Sequence, residues 1–426
     1  MNNYKFDTLS VHGGYSPEPT THSNVLPIYM TTAYNFDSVE HARSLFALEQ
    51  TGNIYTRLQN PTNTAFEERI SLLEGGIGAV AASSGHAAIT MALLTLCSCG
   101  DEVISSSTIY GGAINLLGKT FDRMGIKVHF ADMDDLSTVE AKITDKTKAI
   151  FAEAIGNPKA DIADIRGLSE IAKKYGIPLI IDNTFATPAL LRPIEYGADL
   201  VIHSATKYLA GSSTVMGGAI VDSGNFKWKD NPRFPEFNTP DESYHGIVYA
   251  DACGNAAFIT KVRTHILRDI GACQSPFNSW VTMLGLETLS LRMKKHSENA
   301  LKVAEFLQTH PMVLSVDHPA LPGSKYYRLA NEYLPDGCSG VFTFEIRGGR
   351  EAGAKFCDNL KLLRIVANLG DTRSMVSHPA TTTHSQLSDE QLLAAGISAS
   401  TIRLSIGIED VDDIISDISA ALDACK

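Results

Sequence analysis

The alternation of strand and helix signals between residues 79 and 221 restricts the fold more than any other feature of this sequence. Apolar, β-branched runs recur there with the length of buried parallel strands: AVAAS, EVISS, KVHF, AIFAEA, PLIID, DLVIHS and GGAIV. Helical segments such as GHAAITMALLTL and IRGLSEIAKKYG lie between them, and we expect Gly176 to cap the second. The pattern predicts an α/β fold with helices on both faces of a sheet. Ligands bind such sheets beyond the carboxyl ends of the strands.

The regions on either side of this alternation have a different character. Residues 1–60 are rich in Thr, Ser, Pro and Asn, with little helical periodicity beyond a patch near Val39–Leu48, so we expect an arm that wraps around this subunit or another. Within 224–275, GNFKWKDNPRFPEFNTPDESYHGIVY predicts a long functional loop. One long helical stretch, MLGLETLSLRMKKHSENALKVAEFLQTH, then precedes GVFTFEI and TIRLSIGI. We therefore predict an arm of residues 1–60, a ligand-binding domain of 61–275 and a smaller α+β domain of 276–426.

Composition and charge argue against several classes of function. The chain has 426 residues and a formal net charge of −12, which disfavours a surface dedicated to nucleic acid or to an anionic membrane. Its 7 cysteines are scattered, without the paired CxxC motifs of a zinc site. No apolar run reaches the ~18 residues of a membrane span, and the N-terminus does not resemble a signal peptide. We therefore expect a cytoplasmic protein without a metal ion.

One lysine, Lys207, follows the apolar run DLVIHS and lies between hydroxyl residues and glycines, in HSATKYLAG. Upstream, Asp182 closes the strand-like run PLIID. A carboxylate at such a position is costly unless a positive group meets it. The interval between the two residues leaves room for one connection and one strand, so both could face one ligand from adjacent strand ends.

Pyridoxal phosphate requires this set of groups. A lysine forms a Schiff base with it, and a carboxylate keeps its pyridine nitrogen protonated. Its phosphate needs hydroxyls, which Ser204 and Thr206 offer, and main-chain N–H groups, which a turn at Ser84 and Gly85 offers before a helix. Tyr110, after the next strand, could stack on the ring.

Each of these features alone has a simpler structural explanation. A lone lysine at a strand end is most often exposed to solvent, and a Ser-Gly turn before a helix is usually an N-cap. An aspartate at a strand end is also more often a cap than a cofactor partner. A lysine that forms a Schiff base without a cofactor needs neither Asp182 nor a phosphate site. The order of the features on one α/β unit favours pyridoxal phosphate.

The segment DNTFATPALLRPIEYGADLVIHSATKY resembles the signature of the Cys/Met-metabolism pyridoxal-phosphate enzymes of fold-type I, the aspartate-aminotransferase-like fold. The resemblance covers essentially the whole chain and includes YTRLQNPTNTAFEERISLLEGG, SSGHAA, EAIGNP, SATKY, HPATTTHSQLS and IRLSIGIED. It implies a large, mostly parallel sheet domain, a smaller α+β C-terminal domain, and pyridoxal 5'-phosphate as the cofactor.

The resemblance also implies the roles of individual residues. Lys207 would be the Schiff-base residue, Asp182 the partner of the ring nitrogen, and Tyr110 the stacking residue and candidate proton carrier, which makes these three the catalytic set. The implied cofactor-binding residues are Tyr55, Arg57, Ser84, Gly85, His86, Tyr110, Asn157, Asp182, Thr184, Ser204, Thr206 and Lys207. The implied substrate-binding residues are Tyr55, Asn157, Asn368 and Arg403. The planar fork of Arg403 suits the substrate α-carboxylate.

In that family, Tyr55 and Arg57 close the phosphate site of a neighbouring subunit. This explains the N-terminal arm, and it implies a homotetramer with shared active sites. His86 stands where relatives often carry Met or Gln, which leaves the role of its side chain open. We expect His203 to be a structural residue beside the site.

Two positions and one insertion bear on the reaction. Methionine γ-lyases resemble this chain but carry a cysteine at the position of Gly112 and a serine at that of Asn368. The 224–249 segment and LRDIGACQSPFNSW are similar to the insertion of the O-acetylhomoserine sulfhydrylases. We therefore expect the acetate of O-acetyl-L-homoserine to be replaced by sulfide or methanethiol, giving homocysteine or methionine. Methionine γ-lyase and cystathionine γ-synthase are the alternatives, and an inactive scaffold of the same fold is disfavoured by the intact site residues.

Overall fold

A sheet of seven strands lies between Gly78 and Asp222 in the computed structural model, which describes residues 4–382 and 397–426. The strands are β1 (Gly78–Ala82), β2 (Glu102–Ser106), β3 (Lys127–Ala131), β4 (Thr147–Glu153), β5 (Leu179–Asp182), β6 (Leu200–His203) and β7 (Gly218–Asp222). Their order is β1-β7-β6-β5-β4-β2-β3. Each coincides with one of the apolar runs of the sequence, so the predicted α/β fold is confirmed.

One strand departs from the expected direction. The GGAIV run forms β7, which is antiparallel to both β1 and β6, whereas the sequence predicted a parallel strand. A parallel connection needs a crossover, usually a helix packed on the sheet. Residues 204–217 form turns rather than a helix, and the chain therefore returns antiparallel beside β6.

The helices cover both faces of this sheet and build the second layer of the C-terminal half. The α-helices are α1 (Phe6–His12), α2 (Val39–Phe46), α3 (Pro61–Glu74), α4 (Gly85–Leu96), α5 (Gly111–Asn115), α6 (Phe121–Arg123), α7 (Leu136–Glu140), α8 (Ile165–Tyr175), α9 (Thr187–Leu190), α10 (Pro235–Asn238), α11 (Tyr249–Cys253), α12 (Ala257–Lys261), α13 (Arg268–Ile270), α14 (Pro276–Glu287), α15 (Leu289–Thr309), α16 (Tyr327–Tyr333), α17 (Gly349–Asn359) and α18 (Val411–Asp423). Single turns of 3-10 or π-helix occupy Leu116–Thr120, Pro193–Tyr196, Glu242–Tyr244, Gly254–Ala256, Val262–Leu267 and Pro379–Thr381. Within the described ranges, no helix is both long enough and apolar enough to span a bilayer.

Helix α8 shows how the local sequence sets an element. Its buried apolar residues follow the helical period and face the sheet. Asp164 caps the N-terminus by accepting the N–H of Gly167 at 3.1 Å. Gly176 has φ +65, the left-handed conformation that ends a helix and that glycine adopts without strain. The predicted helix and its cap are confirmed.

The C-terminal half contains a second sheet. In its described part, five strands pair in the order β10-β11-β12-β9-β8: β8 (Val313–Asp317), β9 (Val341–Ile346), β10 (Arg364–Ile365), β11 (Met375–Ser377) and β12 (Thr401–Ser405). The runs GVFTFEI and TIRLSIGI supply β9 and β12. The long helical stretch before them is not one helix, because the backbone leaves the helical conformation at Thr288 and separates α14 from α15.

The first 60 residues are not wholly extended. The patch near Val39–Leu48 forms α2, whereas α1, whose Leu9 is buried, was not predicted. The side chain of Arg69, on α3, fastens the end of α1 by donating to the carbonyl oxygen of Gly13 at 2.7 Å. The beginning of the arm is therefore held by this subunit.

The 224–275 segment is more helical than the long loop that the sequence predicted. It contains α10 to α13 and packs around its own aromatic cluster. Trp228 stacks on Phe237 with the ring centroids 4.5 Å apart, and on Phe258 with the centroids 5.5 Å apart. Offset stacking of this kind adds to the burial of apolar area, and it lets the segment form local structure that loop composition alone did not reveal.

Candidate active site

A cavity of about 280 Å³ lies at the carboxyl ends of β4, β5 and β6. This is the edge of the sheet at which an α/β fold is expected to bind its ligand. Its lining includes most of the predicted site residues: Ser84, Gly85, His86, Tyr110, Asn157, Asp182, Thr184, Ser204, Thr206, Lys207, Asn368 and Arg403. The structure therefore brings together residues from both sheets and from distant parts of the sequence.

Lys207 lies in the turn after β6 and points into this cavity. Its Nζ donates a hydrogen bond to Oδ1 of Asn368, whose own Nδ2 donates to Ser213 at 2.8 Å. Burial, and next the positive charge of Arg403, lowers the pKa of Lys207 to about 8. The amine is consequently available in its neutral, nucleophilic form close to physiological pH.

Asp182 ends β5 and is only 9% exposed. Its Oδ1 accepts hydrogen bonds from the main-chain N–H of Thr184 at 3.0 Å and from the Thr184 hydroxyl. The oxygen of that hydroxyl in turn accepts the N–H of Ser204 at 2.8 Å. Burial raises the pKa of Asp182, and the bonds from Thr184 oppose that rise. A positively charged ring nitrogen beside Asp182 would favour its ionised form further.

The N-terminus of α4 meets the turn after β6 at close range. Ser84 caps this helix by accepting the N–H of Ala87 at 3.1 Å. A Cβ on Gly85 would lie 2.7 Å from Cβ of Ser204, so only glycine allows this approach. Free N–H groups at a helix N-terminus, next to the hydroxyls of Ser204 and Thr206, are suited to a phosphate group. Glycine at position 85 therefore lets the start of α4 and the turn after β6 form one cradle suited to an anion.

Arg403 comes from β12 of the second sheet and closes the cavity on the opposite side. Its Nη1 donates to Oδ1 of Asn157 at 3.3 Å, and its Nη2 donates to the carbonyl oxygen of Asn368 at 3.2 Å. Burial lowers its pKa. No carboxylate of residues 4–382 and 397–426 forms an ion pair with Arg403, so a carboxylate of a ligand can take that place.

Tyr110 stands at the mouth of the cavity and is 47% exposed. Its ring meets the edge of the His86 ring, with the two centroids 5.6 Å apart. A Cβ on Gly112 would lie 2.5 Å from Cε1 of Tyr110 and 3.0 Å from Nε2 of His86. Because Gly112 has no side chain, the rings of Tyr110 and His86 have space to contact each other.

Tyr55 and Arg57 lie outside this cavity. The guanidinium of Arg57 lies over the ring of Tyr55, 5.4 Å from its centroid, and Tyr55 is 41% exposed. Neither side chain lines the cavity of its own chain. The HPATTTHSQLS motif is described only through residue 382, and residues 383–388 lie outside the described part of the chain.

The sequence did not single out two carboxylates near the site. Glu153 ends β4, lines the cavity and is the neighbour of Asp182 in the sheet. Glu74 is fully buried, and its Oε1 lies 2.6 Å from Nε2 of His203, which agrees with the structural role expected for that histidine. Glu153 could have been found, because it is a charged residue that closes an apolar strand, as Asp182 is. Glu74 gave no such signal, because it is the last residue of a helix, α3.

Comparison with known proteins identifies the family. Residues 7–423 match the family described as Cys/Met metabolism PLP-dependent enzymes. This chain belongs to that family. It is therefore a pyridoxal-phosphate-dependent enzyme, and the expected family, fold-type I architecture and cofactor are confirmed.

The chain is similar to known members of this family over nearly the full length of both proteins. The chain is 47% identical to an O-acetyl-L-homoserine sulfhydrylase of Leptospira meyeri over 99% of this chain and 97% of the relative. It is 45% identical to a homocysteine synthase of Schizosaccharomyces pombe, with 98% of each chain covered. A crystal structure named as an O-acetylhomoserine (thiol)-lyase of Campylobacter jejuni matches with a TM-score of 0.96 and 43% identity, over 99% of this chain and 100% of the other. That structure carries a pyridoxyl-lysine phosphate.

The residues of this family member fit the cofactor. Lys207 offers an amine of lowered pKa, Asp182 a buried carboxylate, and the start of α4 main-chain N–H groups close to Ser204, an approach that a Cβ at Gly85 would prevent. These three groups come from different elements and all border one cavity. They match the three chemical needs of pyridoxal phosphate, namely an amine, a counterion for the ring nitrogen and an anion site.

Proposed function

We propose that this protein is an O-acetyl-L-homoserine sulfhydrylase, which replaces the acetate of its substrate by sulfide or methanethiol and releases homocysteine or methionine. The observation that carries the proposal is the convergence of Lys207, Asp182 and Arg403 on one cavity. The names of the full-length relatives support the choice of substrate.

Lys207 would hold the cofactor covalently and then act as the base and acid of the reaction. Bound pyridoxal phosphate supplies an electron sink for negative charge that develops on the substrate α-carbon. Because the pKa of Lys207 is lowered to about 8, its amine can take the α-proton and return it near neutral pH. Well-placed proton transfer of this kind contributes ~10²–10⁴-fold to a rate. Tyr110, at the cavity mouth, is the second candidate proton carrier.

The other residues would bind and orient. Arg403 would hold the substrate α-carboxylate through two parallel N–H donors, with Asn157 and Asn368 fixing its guanidinium. Ser84, Gly85, His86, Ser204 and Thr206 would hold the phosphate, with main-chain N–H groups at Gly85 and His86, and Thr184 would keep Asp182 oriented towards the ring nitrogen. Across the whole reaction the Cγ–O bond breaks, acetate leaves with its electron pair, and the sulfur bonds to Cγ as it loses a proton.

The assembly that we propose is a homotetramer in which Tyr55 and Arg57 reach the site of a neighbouring subunit. Both residues lie outside their own cavity, and the arm around them exposes large apolar side chains: Val25, Met30, Phe36, Val39 and Phe46. Such surfaces are typical of contact regions. Mixing an inactive Lys207→Ala chain with an inactive Arg57→Ala chain, under subunit exchange, should restore part of the activity. No recovery in mixed tetramers would contradict site sharing.

We also propose that the enzyme works in the cytoplasm. All 7 cysteines are free, and the acidic net charge of −12 does not favour binding to nucleic acid or to anionic membranes.

The reaction is tested with the cofactor-loaded enzyme and O-acetyl-L-homoserine, with and without sulfide. Sulfide-dependent homocysteine with little 2-oxobutyrate is the expected result. Keto acid as the main product in both reactions would instead establish a γ-lyase, and cystathionine formed with cysteine would establish a γ-synthase. Lys207→Ala serves as the control and should form no product.

A further inference from the structure

A second carboxyl group, Glu153, lies beside Asp182 on the floor of the cavity. Glu153 ends β4 and Asp182 ends β5, and the two residues are direct partners in the parallel pairing of these strands. Residues in register on neighbouring parallel strands project to the same face of the sheet. Both carboxyl groups therefore lie side by side, and both line the same cavity.

Glu153 accepts hydrogen bonds from the main chain, from the N–H of Tyr110 and from that of Asn157. Its Oε1 accepts the N–H of Tyr110 at 2.8 Å. Tyr110 is the residue before α5, so its N–H precedes the hydrogen bonds of that helix and requires a partner from elsewhere. The ring of Tyr110 is half exposed, so few neighbours hold it. The main-chain bond to Glu153 and the ring contact with His86 therefore set the position of the Tyr110 ring.

The electrostatic surroundings of Glu153 oppose a negative charge. Burial, and next the charge of the neighbouring Asp182, raises the pKa of Glu153 well above its ordinary value, and the N–H groups of Tyr110 and Asn157 oppose this rise only in part. Asp182 has two hydrogen bonds from Thr184 that favour its ionised form. Of the two neighbours, Asp182 is therefore the one that carries the charge. The other titratable or charged groups that face this pair are Asp161, His86, His203, Lys207 and Arg403.

We propose that Glu153 is a positioning residue: an uncharged carboxyl group that fixes the main chain of Tyr110 over the cavity and leaves the single negative charge of the cavity floor to Asp182. The proposal rests on the proposed function to the extent that Tyr110 acts on the bound substrate. Two adjacent anions would share the attraction of one ring nitrogen and repel each other, whereas a neutral acid keeps the hydrogen bond without this competition.

Two substitutions of Glu153 distinguish the effect of its hydrogen bond to Tyr110 from the effect of its ionisation. Glu153→Gln keeps an Oε1 acceptor for Tyr110 and cannot ionise, and Glu153→Ala removes the acceptor. Glu102→Ala is the matched control, because Glu102 begins the neighbouring strand β2 at the other end of the sheet. Its Oε2 accepts the hydroxyl of Thr144 at 2.7 Å and lies 3.3 Å from Nε2 of His129, and none of these residues lines the cavity. All three are compared as holoenzymes for kcat, KM and the visible circular dichroism of the bound cofactor.

We expect Glu153→Gln and Glu102→Ala to retain kcat within about threefold of the unaltered enzyme, and Glu153→Ala to lose kcat about 100-fold with a smaller change in KM, as for a misplaced catalytic group. The circular dichroism of the cofactor should change only in Glu153→Ala, because the aromatic ring over it has moved. The pH profiles of kcat for Glu153→Gln and the unaltered enzyme should coincide between pH 6 and 9.

The opposite results would overturn the proposal. A Glu153→Gln variant as impaired as Glu153→Ala would show that the ionisable group itself is needed. A Glu153→Ala variant with normal kcat and normal circular dichroism would show that Glu153 does not position Tyr110. If Glu153→Ala does not fold, the pH profile still decides, since a limb present in the unaltered enzyme and absent in Glu153→Gln would mean that Glu153 ionises during turnover. The dichroism reports on the cofactor whatever the reaction is, so failure of the sulfhydrylase assignment remains distinguishable.

Discussion

With rising pH, the rate at which the apoenzyme captures pyridoxal 5'-phosphate should level off about 2.5 pH units lower than it would with an exposed lysine. The reason is the position of Lys207, whose pKa burial and Arg403 lower to about 8 from the ordinary 10.5. Only the neutral amine attacks the aldehyde of the cofactor. With this pKa the neutral fraction is about one tenth at pH 7 and about nine tenths at pH 9, whereas an ordinary lysine would be only ~3% neutral at pH 9.

The assay follows cofactor absorbance after apoenzyme is mixed with excess pyridoxal 5'-phosphate at pH 6.5 to 10. The second-order rate should rise about tenfold between pH 7 and 9 and then level off. Arg403→Met should move the midpoint upward, because one positive charge has left the surroundings of Lys207, but not to the ordinary value, because burial remains. A rate that still rises tenfold per pH unit above pH 9 would refute this account of Lys207. Lys207→Ala should show no covalent capture.

Three further predictions test other parts of the structure. Gly85→Ala should weaken cofactor binding at least about tenfold in fluorescence titration of the apoenzyme, because its Cβ would lie 2.7 Å from that of Ser204; unchanged affinity would contradict the described cradle. Lys261→Met should lower stability to denaturant by about 3 kcal/mol, since it leaves the carboxylate of Asp241 without the partner 3.1 Å away, and a neutral effect would show that the pair contributes little. His318, whose pKa burial lowers to about 4, should bind a proton on unfolding below pH 6.5, so stability falls as the pH decreases from there towards 4. His318→Phe should therefore lose about 2 kcal/mol less than the unaltered protein between pH 7.5 and pH 5, and equal losses would show that His318 is not the group responsible.

The sequence alone determined the positions of the seven strands of the large sheet, helix α8, and the lysine and aspartate of the candidate site. Strands β1 to β7 were found because buried strands are continuous apolar, β-branched runs, and α8 because its period and its caps are local signals. Lys207 and Asp182 stood out because a charged residue next to the end of an apolar strand is costly to bury unless a partner or a ligand compensates its charge. The family resemblance, rather than spacing, supplied the roles proposed for Arg403 and for the N-terminal arm.

Only the tertiary structure decided which distant groups meet. Arg403 donates to Asn157, 246 residues away in the chain, because the two sheets pack across the cavity, and no local pattern encodes that contact. The antiparallel direction of β7 and the break of the long helical stretch at Thr288 likewise depend on what each segment packs against. The pairing of β4 with β5 places Glu153 beside Asp182. The electrostatic consequence of two neighbouring carboxyl groups exists only once those strands lie together, because charges interact through space and not along the sequence.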